Sequence, residues 1–525
     1  MKKQLIYSTI FVLLLTFSLS AQNFDLQSNQ SDTTIFPGLS TNSISDIEEL
    51  NQNTLLIATG RRIARVDKQL FDTDKNSSIN TYKKDLLPKG FITAISTYQE
   101  NIWCAGVYDT AKTTAGGGYS YSLDGGQTWT QVSQSTDEKG DAFEVWNGDT
   151  INFLPIITHM QNTTWDLALD GENIYTTSWA GGLRMTSNRG DSWRRLPLPA
   201  DTARTMKVGK EKVDYYINPR NNNNQMGFSV IAKNDLIWVG TAGGVNKGIY
   251  QDSTIAWTHY SVKTDSGLAG DWIKTLYRQE YQGNDIIWAT CNIAESGGSI
   301  GVSFTADKGN NWHTIKTDTS GANIPPVNDI TSSEDTVFIA TNRGLYYGIL
   351  NQGLQSKGWV PLKIEPTQKA EILRDKINSV FADQNYLWIG TGDGLVRKPL
   401  NKLADNQIYH EYVKPGTEKT ENLYAYPNPF YPNHTNRKGG EGHVRIRFNI
   451  PEVGAEARFI IYDFNMEMVY KSEKQSFATQ EGSYFTWNGR RENGSLVANG
   501  TYFCKLVKET EQGTKINWTK IIVVK

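Results

Sequence analysis

Three cysteines in 525 residues are too few for a disulfide framework. Cys104, Cys291 and Cys504 lie far apart in strand-like runs, which points to buried free thiols. The six histidines are scattered, with no His-Glu-x-x-His pattern and no pair one helical turn apart, so neither a metal site nor a cofactor is expected. An excess of positive charge is also missing. The 53 Lys and Arg face 55 Asp and Glu, for a formal net charge of -2, which gives no footprint for nucleic acid. Helical periodicity is absent. After the N-terminus no apolar run reaches membrane-spanning length, so no membrane span is expected in the mature chain. The Gly-rich turn Gly390–Leu395 carries no Lys-Ser or Lys-Thr pair and no helix follows it, which excludes a phosphate cradle.

What the chain does have is glycine and aromatic residues. It holds 46 Gly, 15 Trp and 25 Tyr, a composition that favours an all-β protein with many turns. Lys2 and Lys3 precede a mostly apolar stretch from Leu5 to Leu19, with small residues at Ser20 and Ala21. That pattern predicts a secretory signal over residues 1–21, followed by an N-terminal segment over 22–34.

The apolar strand Leu387-Trp388-Ile389-Gly390-Thr391 recurs along most of the chain. Its relatives begin at Leu55, Ile102, Asn173, Leu236, Ile286 and Val337, and several are followed by Gly-Leu or Gly-Val. Trp288, Phe338 and Trp388 fall at steps of ~50 residues, and earlier spacings are uneven. A shorter apolar strand precedes each copy, as in Ile44–Ile47 and Ile377–Phe381, and further strands follow most of them. About four short strands per repeat predict a seven-bladed β-propeller over residues 35–413. Blades stacked radially cover one another, so a second strand can be apolar on both faces. Ring closure stays open at this stage. Thr33–Phe36 and Ile408–Val413 both suit the outer position of the last blade.

Three turns share another pattern: Ser122, Asp124, Gly126 and Trp129; Asn188, Gly190 and Trp193; Asp307, Gly309 and Trp312. In each, Asp or Asn suits an Asx-type turn, Gly suits positive φ, and Trp folds back on the sheet, a structural set. They resemble the Asp-box (BNR) repeats of sialidase-like propellers. The repeat strands with Gly-Leu after them, at Gly390–Leu395 and Ala340–Leu345, resemble two-component-regulator propeller repeats. Both resemblances imply the propeller fold and leave function open. A sialidase-type set is not found, because Arg61-Arg62-Ile63-Ala64 lacks the Pro and Arg195-Leu196-Pro197 falls in another blade. No catalytic residue is assigned.

Long insertions run from Val107 to Gly117, Ser133 to Asn162, Ala200 to Met226 and Cys291 to Ser299. With nearby strand starts they supply Trp146, Trp165, Asp166, Trp179, Tyr215, Tyr216, Asn218, Arg220, Asp271 and Trp272 as candidate ligand-binding residues. Aromatic rings among Asn, Asp and Arg suit stacking on sugars or gripping a peptide, and equally suit pinning long loops.

After Val413 a polar linker over 414–422 leads to about seven short strands in 423–525, predicting a β-sandwich. Tyr426-Pro427-Asn428-Pro429, Trp487-Asn488-Gly489, Asn499–Phe503 and the basic end Lys520–Lys525 carry a resemblance. The region resembles C-terminal sorting domains of the type IX secretion system, and the Ig-like domain related to the flagellar hook-capping protein. Asn465 stands where such domains have Gly, in a turn that Asn can hold at positive φ. The resemblance implies the type IX machinery as partner, and release or attachment at the outer-membrane surface of a Gram-negative bacterium. The combined expectation is an exported propeller binding extracellular glycan or protein. The alternative is a glycoside hydrolase or lyase of sialidase-like propeller type.

Overall fold

The computed structural model describes residues 35–524 apart from 61, 74–77, 111–112, 252, 265–266, 296, 354–356, 366–371, 373–374, 410–422, 427, 431, 433–442, 449–455, 477–482 and 511–512. The expected signal at 1–21, the segment at 22–34 and the linker at 414–422 lie outside the described residues. Two compact units are distinct, one containing Gln30–Glu365 and Arg374–Val413, the other containing Lys414–Lys525.

In the first unit, seven antiparallel sheets of four or five strands follow in chain order among the described residues. Sheets 1 to 7 span residues 35–82, 91–132, 164–195, 205–260, 272–315, 327–362 and 377–409. Each four-stranded sheet is a simple meander. The innermost strand of every sheet packs on that of the next, and Ile377–Ala382 of sheet 7 packs on Ile44–Asn51 of sheet 1. The sheets therefore close into a ring, which makes the unit a β-propeller.

The second strand of each sheet explains the apolar repeat. Thr54–Thr59 is buried throughout, and so are five of the six residues of Tyr386–Thr391. Gly390 is required there, because a Cβ would lie 2.5 Å from Ile44 Cγ2 of sheet 1.

Every junction in the ring carries a side-chain hydrogen bond near the start of its inner strands. Each inner strand has a β-bulge near its start, at Ser45, Thr93, Trp165, Phe228, Lys274, Asn328 and Asn378. Ser45 Oγ donates to Ile92 O (3.1 Å), Thr93 Oγ1 to Thr164 O (2.7 Å), Asn328 Nδ2 to Ile377 O (2.8 Å) and Asn378 Nδ2 to Ile44 O (2.8 Å). Thr275 Oγ1 donates to Asn328 O (3.0 Å). The remaining two junctions are latched by acceptors: Val230 N–H donates to Asp166 Oδ2 (2.9 Å), and Leu276 N–H to Ser229 Oγ (3.0 Å).

This settles the closure. Ile35–Pro37 pairs with Ile79–Tyr82 as a fifth, outer strand of sheet 1, and Gln407–Tyr409 completes sheet 7. Ile35–Phe36 as part of an outer strand of the last blade is thus corrected, Thr33 and Thr34 lying outside the described residues: among the described residues no sheet is shared between the two ends of the ring. Phe71, in the short helix Leu70–Thr73 between two strands of sheet 1, packs edge-on at 5.1 Å against Trp388 across the seam.

The three boxed turns have one geometry. In the first, Gly126 N–H donates to Ser122 Oγ (2.8 Å) and Thr128 N–H to Asp124 Oδ1 (2.9 Å). Gly190 N–H to Thr186 Oγ1 (3.0 Å) and Gly309 N–H to Thr305 Oγ1 (2.9 Å) repeat it, with Asn188 and Asp307 taking the place of Asp124. Their tryptophans pack on the preceding sheet: Trp129 on Tyr82 (5.3 Å), Trp193 on Tyr119 (5.0 Å) and Trp312 on Tyr260 (5.7 Å).

In the second unit, two sheets share one core. Leu423–Tyr426, Val444–Phe448 and Ser483–Trp487 form one sheet. Glu456–Tyr462, Met468–Lys471, Gly500–Thr510 and Gly513–Val523 form the main path of the other. Ile446 and Trp487 from the first meet Phe459, Cys504 and Ile521 from the second. The turn after Asp463 places positive φ at Met466 (62°), where Asn465 was expected to carry it. Asp463 Oδ1 accepts the N–H groups of Asn465 and Glu467, each at 3.0 Å, and this carries the turn one residue further. All three cysteines are free and buried.

Candidate functional site

Antiparallel order decides which loops share an end of the ring. Inner strands start at one end, and the connection after each second strand returns to it. The link from one sheet to the next also arrives there. All four long insertions therefore leave from and return to this end, although hairpin 143–152 and strand Thr205–Val208 run down the outer edge, where Asn147 Nδ2 donates to Gly209 O (3.3 Å); the turns at Asp124, Asn188 and Asp307 lie at the other end. The insertions also join. Gly116 N–H donates to His159 O (2.8 Å), and Leu154 N–H donates to Ile217 O (2.8 Å). In the fourth, Gly298 bridges to Gly270, in the link that enters sheet 5. The result is a rim beside sheets 2 to 5.

The bulge residues set the chemistry of the mouth beneath that rim. Asn328, Asn378, Ser45 and Thr93 form a polar arc, each donating to the backbone of the next sheet. Trp165 and Phe228 interrupt it. Phe228 sits at the centre of an aromatic group, 6.4 Å from Trp165, 5.6 Å from Trp179 and 5.6 Å from Trp272 by ring centroids. The three tryptophans are half-buried and Phe228 is buried. Lys274 stands where the two arcs meet, its Nζ 2.5 Å from Asn328 Oδ1.

One residue beyond the bulge lies an acidic layer. Asp46, Asp166 and Asp329 occupy equivalent positions in sheets 1, 3 and 6. Each accepts the next N–H of its own strand on Oδ1, from Ile47 (2.9 Å), Leu167 (2.8 Å) and Ile330 (2.8 Å). Each accepts from the following sheet on Oδ2, from Ile95 (2.8 Å), Val230 (2.9 Å) and Val380 (2.9 Å). Burial, aided by the charge of Asp329, pushes Asp46 up to about 8. Burial likewise pushes Asp166 and Asp329 up to about 6, against the hydrogen bonds that favour the carboxylates. Glu48 is raised well above its ordinary value by burial first and by Asp46 second.

Of the ten candidates, Trp165, Trp179 and Trp272 are brought together, with Asp166 directly beneath Trp165. The others are placed elsewhere. Trp146 is fully buried with the Arg194 guanidinium 3.4 Å from a ring centroid, so it anchors the insertion and offers no face to a ligand. Tyr215 donates to Leu198 O and accepts from Gln225 Nε2. Asn218 Oδ1 takes the N–H of Arg220 at 3.0 Å, shaping a turn. Asp271 is buried and accepts Val262 N–H at 2.6 Å. Tyr216 and Arg220 are exposed on the insertion.

Sequence reasoning missed Phe228, Lys274, Asn328, Asp46 and Asp329. Stacking the seven strand starts would have found them. Ile44-Ser45-Asp46-Ile47, Thr164-Trp165-Asp166-Leu167, Gly227-Phe228-Ser229-Val230, Ile273-Lys274-Thr275-Leu276 and Val327-Asn328-Asp329-Ile330 align position by position.

No protein-family model matches the chain. No curated protein matches it either. Among solved structures it is similar to PorZ, a surface component of the type IX secretion system of Porphyromonas gingivalis, at 13% identity over 93% of this chain and 82% of that one, with a TM-score of 0.35. It is also similar to a GH74 enzyme of Niastella koreensis, at 12% identity over 93% and 74%, with a TM-score of 0.46. YCF48 of Cyanidioschyzon merolae matches at 13% identity over 70% and 98%, with a TM-score of 0.39. At these scores the propeller assignment rests on the ring's own topology.

Proposed function

We propose that this chain is an exported, seven-bladed propeller that binds a glycan or protein ligand at the insertion-walled mouth. Residues 423–525 act as an Ig-like domain read by the type IX export machinery, which delivers the protein to the outer-membrane surface or the medium. The observation that carries the binding reading is the aromatic group of Trp165, Trp179 and Trp272 around Phe228, set under the rim. Half-buried rings beside amides suit sugar stacking or an apolar peptide side chain.

The hydrolase alternative needs a carboxylate free to act as acid or nucleophile. Asp46, Asp166 and Asp329 have both oxygens committed to backbone donors, which suits latches between sheets. The reading is tested by a glycan array and a peptide library with the mature chain, beside Trp165→Ala and Trp179→Ala. Binding lost in both variants supports it; binding unchanged in both removes this mouth as the site. Release of reducing sugar from any bound glycan would favour the hydrolase. Deleting residues 414–525 should leave the protein inside the cell envelope. Normal surface display of that deletion would end the export reading.

A further inference from the structure

We propose that the outer face and open edge of the second sheet in residues 423–525 dock an extended segment of a partner protein, one that alternates acidic and apolar residues. This goes beyond the export reading, because it stands on the surface of the second unit itself, whatever directs the chain outward.

The sheet runs Met468–Lys471, Glu456–Tyr462, Gly500–Thr510, Gly513–Val523, so the last of these is an edge strand. Near its end, Ile522 O accepts from Phe430 N–H (2.6 Å) and Ile522 N–H donates to Asn428 Oδ1 (2.8 Å). The backbone groups of Ile522 therefore point away from the sheet. Outward groups recur at every second residue of an antiparallel strand. Those of Thr514, Ile516 and Trp518 point outward too, and no strand among the described residues pairs with them. Such an edge is a template for one more strand.

The side chains beside the edge are apolar and exposed. Among the described residues of the second unit, the exposed large apolar side chains are Phe464, Met466, Met468, Ile516, Trp518 and Ile522. All lie in this sheet or in the turn after Asp463. Register puts Ile516, Trp518 and Ile522 on the face turned away from the core, with Lys505 opposite Trp518 and Phe503 opposite Lys520. Tyr462 packs on Trp518 (5.6 Å) and Phe464 on Phe503 (6.5 Å), which continues the apolar surface across the sheet. Exposed apolar residues gathered on one sheet mark an interaction surface.

Charge and hydrogen bonding select the occupant. Lys505 and Lys520 on the outer face, and Lys515 on the other side of the edge strand, form no ion pair among the described residues. The acids of the outer face, Glu456 and Glu509, lie level with Thr514 and share Lys474 (3.8 and 2.5 Å). A strand added at the edge sets apolar residues beside Ile516 and Trp518 and, in alternation, acidic ones beside Lys515, with a further acid in reach of Lys520. A second copy would bring like charges together at the seam. A lipid surface would leave the open N–H and C=O groups without partners.

The test uses the mature full-length chain and three probes: the capped peptide Thr-Glu-Val-Glu-Val-Glu-Thr, its counterpart with Lys for Glu, and phosphatidylglycerol vesicles. The acidic peptide should bind about tenfold or more tighter than the basic one. Its binding should slow hydrogen exchange over residues 513–519. Ile516→Pro removes only an outward N–H, so it should keep the parent melting temperature and weaken the peptide about fivefold or more. Trp518→Thr, which keeps the strand and loses the ring, should weaken it as well, and melting curves separate misfolding from lost docking. Absence of acidic-peptide binding, equal binding of the basic peptide, or binding without protection of 513–519 overturns the proposal. Vesicle binding in place of peptide binding, lost in Trp518→Thr, would assign the face to lipid instead. A dimer in sedimentation that Ile516→Pro dissolves would assign the edge to a second copy. The export reading is judged separately, by surface display of the 414–525 deletion.

Discussion

The amide of Asn378 donates to the carbonyl of Ile44 at 2.8 Å, joining sheet 7 to sheet 1 across 334 positions of sequence. Because no strand is shared at this seam among the described residues, closure there rests on side chains and close packing. Asn378→Ala should lower stability by about 1 kcal/mol, the worth of one hydrogen bond. Gly390→Ala should cost about 1–3 kcal/mol, since its Cβ would press on Ile44. Urea unfolding checks both, and a Gly390→Ala protein as stable as the parent would show that the seam is slack.

The acidic layer predicts a pH dependence with a definite sign. Asp46 keeps its proton to about 8, and Asp166 and Asp329 keep theirs to about 6, whereas an ordinary aspartate loses it near 3.8. Across that window the folded ring binds more protons than the unfolded chain, so stability falls as pH rises. Lys274, lowered to about 7 from 10.5, acts the other way above neutrality, where the unfolded chain holds the extra proton. The melting temperature should drop from pH 5 to pH 8, and Asp46→Asn should flatten the upper part of that slope. An identical slope in the variant would contradict the role given to Asp46.

Asp137 sits between two buried guanidinium groups, 2.5 Å from Arg184 and 2.6 Å from Arg195. Asp137→Ala leaves both arginines buried without their counter-ion and should cost about 3–5 kcal/mol. Chemical denaturation measures this; a loss below about 1 kcal/mol would mean that solvent or another acid compensates.

Tryptophans at the two ends of the ring should behave differently. Trp312, packed on Trp238 and Tyr260, should cost about 3–5 kcal/mol as Ala and leave ligand affinity intact. Trp179, half-buried at the mouth, should cost less stability and abolish binding. Parallel melting curves and titrations decide; the reverse pattern would move the site to the end that carries the boxed turns.

Much of the architecture is legible in the chain itself, because strands, turns and burial follow from neighbours in sequence. Leu387–Thr391 reads as a doubly buried strand from its apolar run, and Asp124, Gly126 and Trp129 read as a turn from backbone chemistry within eight residues. Val444–Phe448 and Gly513–Val523 are two of the strands in 423–525, where short strands were expected. Aromatic residues near the mouth were also visible, but Trp146 and Trp179 look alike in sequence, and only packing separates a buried anchor from a half-open ring.

Tertiary structure decided the rest. It set which sheet meets which at the seam and joined the insertions to one another. It also placed Lys274 between Phe228 and Asn328. These residues come from different sheets, so their proximity arises from ring closure and not from any local pattern. A strand records its own burial in its sequence, but it does not record which side chains the next blade will bring to its edge.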